Sequence, residues 1–323
     1  MYRKFLLLSV AATLTCSIGF AKIWRVNNTA GITADFTTAQ AAHDGAAAGD
    51  TIHLEPSLTD YGSLTTTKRL TWLSTGNFLT SHPGLQYAAT SGKIANITVS
   101  AGSENSVFSC NSNSGFTCTA SNVTFLRCYT ATSYIYITGG TNCVIIDCYV
   151  NGTVYAWTGA TNTIISNNII TSDINVDLTS SAVVSNNVIA VLNSGGENVI
   201  NNSQFQNNII DQASTPYTFT NSTVNNNIAN NSSLPAGNGN QNNVTMSNVF
   251  VSYQGTTDGD FALKAGSPAI GTGFGGTNMG AFGGTTPFVL GLQPAVPAIY
   301  QLNAPAAPSG NTMNVTFSTK SNN

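Results

Sequence analysis

Charge is what this sequence has least of. Of 323 residues, 10 are Lys or Arg, 13 are Asp or Glu and 3 are His, so 7% are charged, against roughly 25% in an ordinary soluble domain. Ten basic residues scattered over such a length cannot build a broad phosphate-binding surface, which argues against a nucleic-acid partner. Coiled coils and bundles, which need charged outer positions, are excluded as well. The six cysteines contain no C-x-x-C pair, so a zinc site is not expected. No G-x-S-x-G, P-loop or H-E-x-x-H motif is present, and no nucleotide, flavin or other cofactor is expected. Disorder is excluded by a 41% hydrophobic content with 15 Phe and 11 Tyr. What fills the chain instead is 39 Asn together with Ser, Thr and Gly. Such a composition favours strands and turns over helices.

The first residues read as an export signal. Arg3 and Lys4 precede a mostly apolar stretch from Phe5 to Ile18, and Gly19-Phe20-Ala21 supplies small residues for cleavage after Ala21. The stretch is too short for a membrane anchor, and no later segment is long and apolar enough to be a transmembrane helix. Loss of Arg3 and Lys4 leaves 8 basic against 13 acidic residues, a net charge of −5. Loss of Cys16 leaves five cysteines, an odd number, so at least one is a free thiol or pairs between molecules.

The strongest signal is internal repetition. Seven segments share a pattern of apolar residues, a polar pair, then apolar residues, as in Val144-Ile145-Ile146-Asp147-Cys148-Tyr149-Val150 and Ile164-Ile165-Ser166-Asn167-Asn168-Ile169-Ile170. The second members of the pairs are Cys128, Cys148, Asn168, Asn187, Asn208, Asn227 and Asn248, spaced by 20, 20, 19, 21, 19 and 21. Leucine-rich repeats share this period but need a Leu framework. Short β-prone runs split by Asn, Gly, Ser or Thr fit one coil of a parallel β-helix, each strand pairing with its equivalent about 4.8 Å away. Asn tolerates the left-handed backbone of a sharp bend. Pointing inward, its amide can donate to and accept from the same amide one coil away. Cys at two rungs fits as a small buried hydrophobe.

These repeats resemble right-handed parallel β-helix proteins of the pectate-lyase-like superfold, whose bend between the second and third sheets carries inward asparagine ladders. Asn168, Asn187, Asn208, Asn227 and Asn248 match that position, and Cys128 and Cys148 depart from it. Phe36 to Pro56, an Ala-rich stretch followed by Gly49-Asp50-Thr51-Ile52, resembles the capping helix and first strand of exported bacterial β-helices. Asp260 to Ile270 and Gly280-Ala281-Phe282-Gly283 resemble the segment that ends them. The expected fold is all-β: a right-handed single-stranded parallel β-helix of 9–10 coils. Its expected organisation is a signal at 1–21, an N-terminal cap at 22–50, the helix at 51–284 and a Pro-rich region at 285–323. That last region reads either as a C-terminal cap with a loose end or as a sorting or attachment tail, with one closing strand at 314–318.

By resemblance, enzymes on this fold act on polysaccharides with a calcium-binding acidic cluster and a basic proton acceptor, or with paired carboxylates. Between Ser121 and Phe250 the only charged residues are Arg127, Asp147, Asp173, Asp177, Glu197 and Asp211. Arg127 and Asp147 occupy equivalent places just before the ladder, so both point outward. They read either as a surface salt bridge or as a catalytic or carboxylate-binding Arg; if the chain is an enzyme, the catalytic candidates are Arg127, Asp147, Asp173 and Asp177. Asp173 and Asp177 read as turn residues, or as a weak Ca²⁺ site. His43, His53 and His82 all precede the repeats and do not converge by any pattern. Tyr129, Tyr134, Tyr136, Tyr149, Tyr155 and Trp157 either stack on sugar rings or fill the core and cover strand ends.

The expectation is a non-catalytic β-helix, secreted or on the surface of a Gram-negative-type bacterium. Its role is structural, adhesin-like or carbohydrate-contacting, with polysaccharide or cell-surface components as partners. The alternative is a polysaccharide lyase or glycoside hydrolase on an acidic or neutral glycan. A flat ice-binding face would need one Thr column over many coils, which the Asn and mixed columns do not supply.

Overall fold

In the computed structural model, residues 21–190, 198–212, 216–252 and 255–321 are described. All but one residue of the expected signal at 1–21 lies outside them. Three parallel sheets wind through the chain in a fixed order. One coil runs Thr124–Leu126, Tyr129–Thr130, Tyr134–Thr138, and the next runs Val144–Ile146, Tyr149–Val150, Thr153–Trp157. Equivalent strands pair in register, so Phe125 lies beside Ile145, Tyr129 beside Tyr149 and Tyr136 beside Tyr155. The result is a parallel β-helix of about eight turns. The sheet of Thr124–Leu126 has ten strands and is called the long sheet below; the other two have eight each. The count falls short of 9–10 because Ile23–Val26 and Thr51–Leu54 extend the long sheet ahead of the first closed coil.

The coil closes on a stacked apolar interior. Trp72, Phe108, Phe125, Ile145, Ile165, Val184 and Phe205 follow one another in register along the long sheet, each fully buried. Each such side chain contributes about 1.5–3 kcal/mol by leaving water. At the N-terminal end the helix Ala39–Gly45 lies over the first coil with Ala39 and Ala42 buried. The Thr38 hydroxyl caps it, accepting from the Ala41 N–H at 3.2 Å.

A second core lies outside the coil. The sheet of Tyr129–Thr130 buries both faces: Thr130, Val150, Ile170, Ile189 and Ile210 point in, while Tyr149, Ile169, Val188, Ile209 and Ile228 point out and are equally covered. We call this the covered sheet. Its cover is the chain from Met246 to Leu292, which brings Met246, Val249, Phe250, Phe261, Ala269, Met279, Ala281, Phe288 and Leu292 against it. The coils therefore do not run to residue 284. Their last strand is Ile228–Ala229, and the segment from Thr272 to Gln293 doubles back along the outside as a strap.

The Pro-rich region also differs from expectation. Its first part, with Phe288 and Leu292 buried, belongs to the strap. Thr316–Lys320 is a strand, but it pairs antiparallel with Ala298–Asn303 in a separate two-stranded sheet and does not close the coil. Lys320 Nζ and Ile299 O tie that hairpin to Gly84 O and Tyr87 N.

Candidate functional site

The polar pair of each repeat divides its work. The first member takes the left-handed backbone: Arg127, Asp147, Asn167, Asn186, Asn207 and Asn226 have φ between 52° and 58°. The second points inward. Asn168 Nδ2 donates to Asn187 Oδ1 at 2.9 Å, Asn187 to Asn208 at 3.0 Å and Asn208 to Asn227 at 3.1 Å. Each Nδ2 also reaches a backbone carbonyl of the preceding coil, as Asn187 does with Ile165 O at 2.9 Å. The same Oδ1 accepts the backbone N–H one rung earlier. Cys128 and Cys148 continue the column as buried thiols, with the Cys128 N–H directed to Cys148 Sγ at 3.4 Å.

The column does not end on Asn248. That residue lies exposed in the 3₁₀ turn Met246–Asn248. Asn227 Nδ2 donates instead to Asn240 Oδ1 at 3.1 Å, only 13 residues on, because the coil shortens once the strands stop. A second asparagine column, not anticipated from the sequence, lies exposed at the bend that returns to the long sheet. Asn122, Asn142 and Asn162 are left-handed there, and each amide donates to the one before at 3.1 and 3.3 Å.

The first members of the pairs hold the strap. Asn226 Nδ2 donates to Thr272 O, Asn207 Oδ1 accepts from the Phe274 N–H, and Asn186 Nδ2 donates to Asn278 O. Asn167 Nδ2 donates to Ala281 O and Gly283 O, and Arg127 Nη1 donates to Gln293 O at 2.9 Å. Arg127 and Asp147 are thus not a surface salt bridge. They point outward from the coil, 3.7 Å apart, but are buried to 8% and 5% exposure. Burial pushes the Asp147 carboxyl up to about 7 against the opposing pull of Arg127.

Asp173 and Asp177 stand at opposite ends of the strand Ile174–Val176. Asp173 is fully buried and accepts from Ser172 Oγ at 3.1 Å and Gln212 Nε2 at 3.4 Å. Asp177 caps a turn, accepting from the Thr158 N–H, the Thr179 N–H and Thr179 Oγ1. Burial opposes these bonds, yet they outweigh it and hold the Asp177 carboxyl below its ordinary value. Among the described residues, no three His, Cys, Asp or Glu side chains are grouped to hold a metal ion. The histidines are apart. His43 Nε2 accepts from the Thr67 N–H under the cap, and His53 is on the outer side of the long sheet. His82 Nε2 pairs with Asp258 Oδ1 across 176 residues, a contact no local pattern announces.

The six aromatic residues separate by sheet. Tyr149 is buried and Tyr129 half-buried in the second core, both against Phe78. Tyr134, Tyr136, Tyr155 and Trp157 stand on the outer face of the third sheet. The period-two alternation of Tyr134-Ile135-Tyr136-Ile137 and Val154-Tyr155-Ala156-Trp157 already places them together. Their rings meet edge to face, with centroids 5.3 Å apart for Tyr136–Tyr155 and 5.9 Å for Tyr155–Trp157. In register with Tyr136 and Tyr155 run Thr65, Thr98 and Thr117 on one side and Asn175 on the other. The rings and threonines are exposed or half-exposed. This face extends over five rungs and presents hydroxyls, ring faces and no Lys or Arg.

A separate polar cleft of about 750 Å³ opens between the 57–60, 77–81 and 89–93 segments, lined by Asp60, Asn77, Thr90, Ser91, Lys93 and Asn113. Among the described residues, no helix is long and apolar enough to cross a membrane. No family model matches this chain, and no curated protein or solved structure matches it either.

Proposed function

We propose that the chain is an exported, non-catalytic β-helix that contacts carbohydrate through the outer face of its third sheet. One observation carries this reading: Tyr134, Tyr136, Tyr155 and Trp157 form a continuous patch in register with a run of threonines. Sugar rings offer apolar C–H faces that settle on aromatic rings and hydroxyls that pair with neutral donors and acceptors. Both are supplied there without charge, as a neutral glycan requires. The candidate acids have other employment, Asp147 beneath the strap, Asp173 in the interior and Asp177 in a turn. The export signal read in residues 1–21 supports placement outside the cytoplasm.

The test is retention on an immobilised panel of neutral and acidic glycans, followed by titration of Trp157 fluorescence with any retained oligosaccharide. Tyr155→Ala and Trp157→Ala are each expected to weaken binding at least about tenfold, roughly 1.4 kcal/mol per ring. No retention by the unaltered protein, or equal binding by both variants, overturns the reading. Release of new reducing ends or of unsaturated products absorbing in the ultraviolet overturns its non-catalytic part.

A further inference from the structure

The five described cysteines are all buried free thiols, and neither the ladder nor the aromatic face uses three of them. Two of those three converge. Cys118 ends the strand Gly115–Cys118 of the third sheet; Val123 opens the coil that follows it on the long sheet, and Cys143 holds the place of Val123 one rung further on. Cys118 Sγ lies 3.3 Å from Ala120 O, and Cys143 Sγ lies 3.4 Å from the same oxygen. Two sulfurs directed at one acceptor, from neighbouring coils, are close to each other. The ladder thiols share no acceptor: Cys128 Sγ is aimed at Phe108 O and Cys148 Sγ at Phe125 O, carbonyls one rung apart. No other described thiol shares an acceptor with Cys110.

We propose that Cys118 and Cys143 are a redox crosslink that fastens adjacent coils across the bend between the third sheet and the long sheet. In the presence of a small disulfide such as oxidised glutathione, one of the two thiolates attacks one sulfur of the reagent. This forms a mixed disulfide and expels one glutathione thiolate. The other thiolate then attacks the protein sulfur of that mixed disulfide and expels the second glutathione. Two protein thiols are oxidised, one glutathione disulfide is reduced to two thiols, and the protein's two protons end on those two thiols. Because both sulfurs are fully covered in the folded chain, exchange takes place while the coils are still open.

The protein is refolded from denaturant with a glutathione redox buffer, alkylated while denatured, and digested for mass spectrometry. The expected result is two thiols protected from alkylation and a peptide joining Cys118 to Cys143. The melting temperature is expected to fall by about 5 °C on reduction, and to be insensitive to reductant in the Cys118→Ser, Cys143→Ser double variant. Cys118→Val with Cys143→Val, the residue type that Val99 and Val123 supply one rung earlier, replaces the serine variant if buried hydroxyls prevent folding. Full alkylation of a folded, glutathione-treated protein overturns the proposal, and so does a crosslink mapped to any other pair.

Discussion

At the scale of residues, the polar pair is two devices in sequence, and the rungs that break the asparagine rule reveal which is which. Where both members are Asn, bend and ladder are indistinguishable in the sequence, since Asn suits left-handed backbone and amide stacking alike. Arg127-Cys128 and Asp147-Cys148 separate them. The charged first member carries the positive φ and the thiol lies inside. The ladder was legible because its spacing is regular; its last rung, Asn240, was not, because the coil contracts where no strand follows. Replacing Asn187 by Leu removes the acceptor of Asn168 Nδ2 and of the Asn168 N–H, and the donor to Asn208 Oδ1. The expected loss is about 1–3 kcal/mol, read as a lower urea midpoint; an unchanged midpoint contradicts the inward column. Asp147 gives a pH dependence of definite sign. Its folded pKa of about 7 lies above the ordinary value of 3.8 because burial disfavours the charge. The folded state therefore binds its proton more tightly, a contribution complete below about pH 4 and lost as pH rises through about 7. Stability measured at pH 5 and pH 8 should fall more in the unaltered protein than in Asp147→Asn. Equal slopes would mean that Asp147 is ionised throughout.

At the scale of elements, the strap is the feature that sequence reasoning placed wrongly. Within it only Gly280-Ala281-Phe282-Gly283 resembles, on sequence, part of a segment that ends such helices, and nothing in those residues states that the chain turns back along the outside. The signal lay elsewhere, in the strands it covers. Ile169-Ile170, Val188-Ile189 and Ile209-Ile210 are apolar at consecutive positions, and a strand apolar on both faces is buried on both. Close approach explains Gly280, where a Cβ would lie 2.6 Å from Ile209 Cδ1 on a backbone with φ +81°. A chain ended at Ser267 loses Ala269, Met279, Ala281, Phe288 and Leu292 from the second core and uncovers Val188 and Ile209, against which Gly280 lies. It is expected to bind a hydrophobic dye and to associate, as uncovered apolar patches do. Sedimentation as a dye-negative monomer would show that the strap is dispensable. The outer aromatic face was easier to anticipate, because alternation over five residues fixes which side chains share a side, although the threonine run beside it needed the register of separate coils.

At the scale of the whole molecule, the shortage of charge acquires a structural account. The repeats spend their polar positions on amides that satisfy one another inside, at the bends and along the strap, so neutral side chains do what ion pairs do elsewhere. The fold carries its surface chemistry on three different sides: the covered sheet is closed by the strap, the long sheet is open, and the third sheet bears the rings. The strap has one more effect. A stack whose coils touch only their neighbours can melt from either end, one coil at a time. Here the stretch from Thr272 to Gln293 is fastened at rungs from Asn226 back to Arg127. Loosening any one of those coils therefore strains attachments several coils distant, so that an array built for local, piecemeal fraying is bound lengthwise into a single cooperative unit, like pages held by a spine.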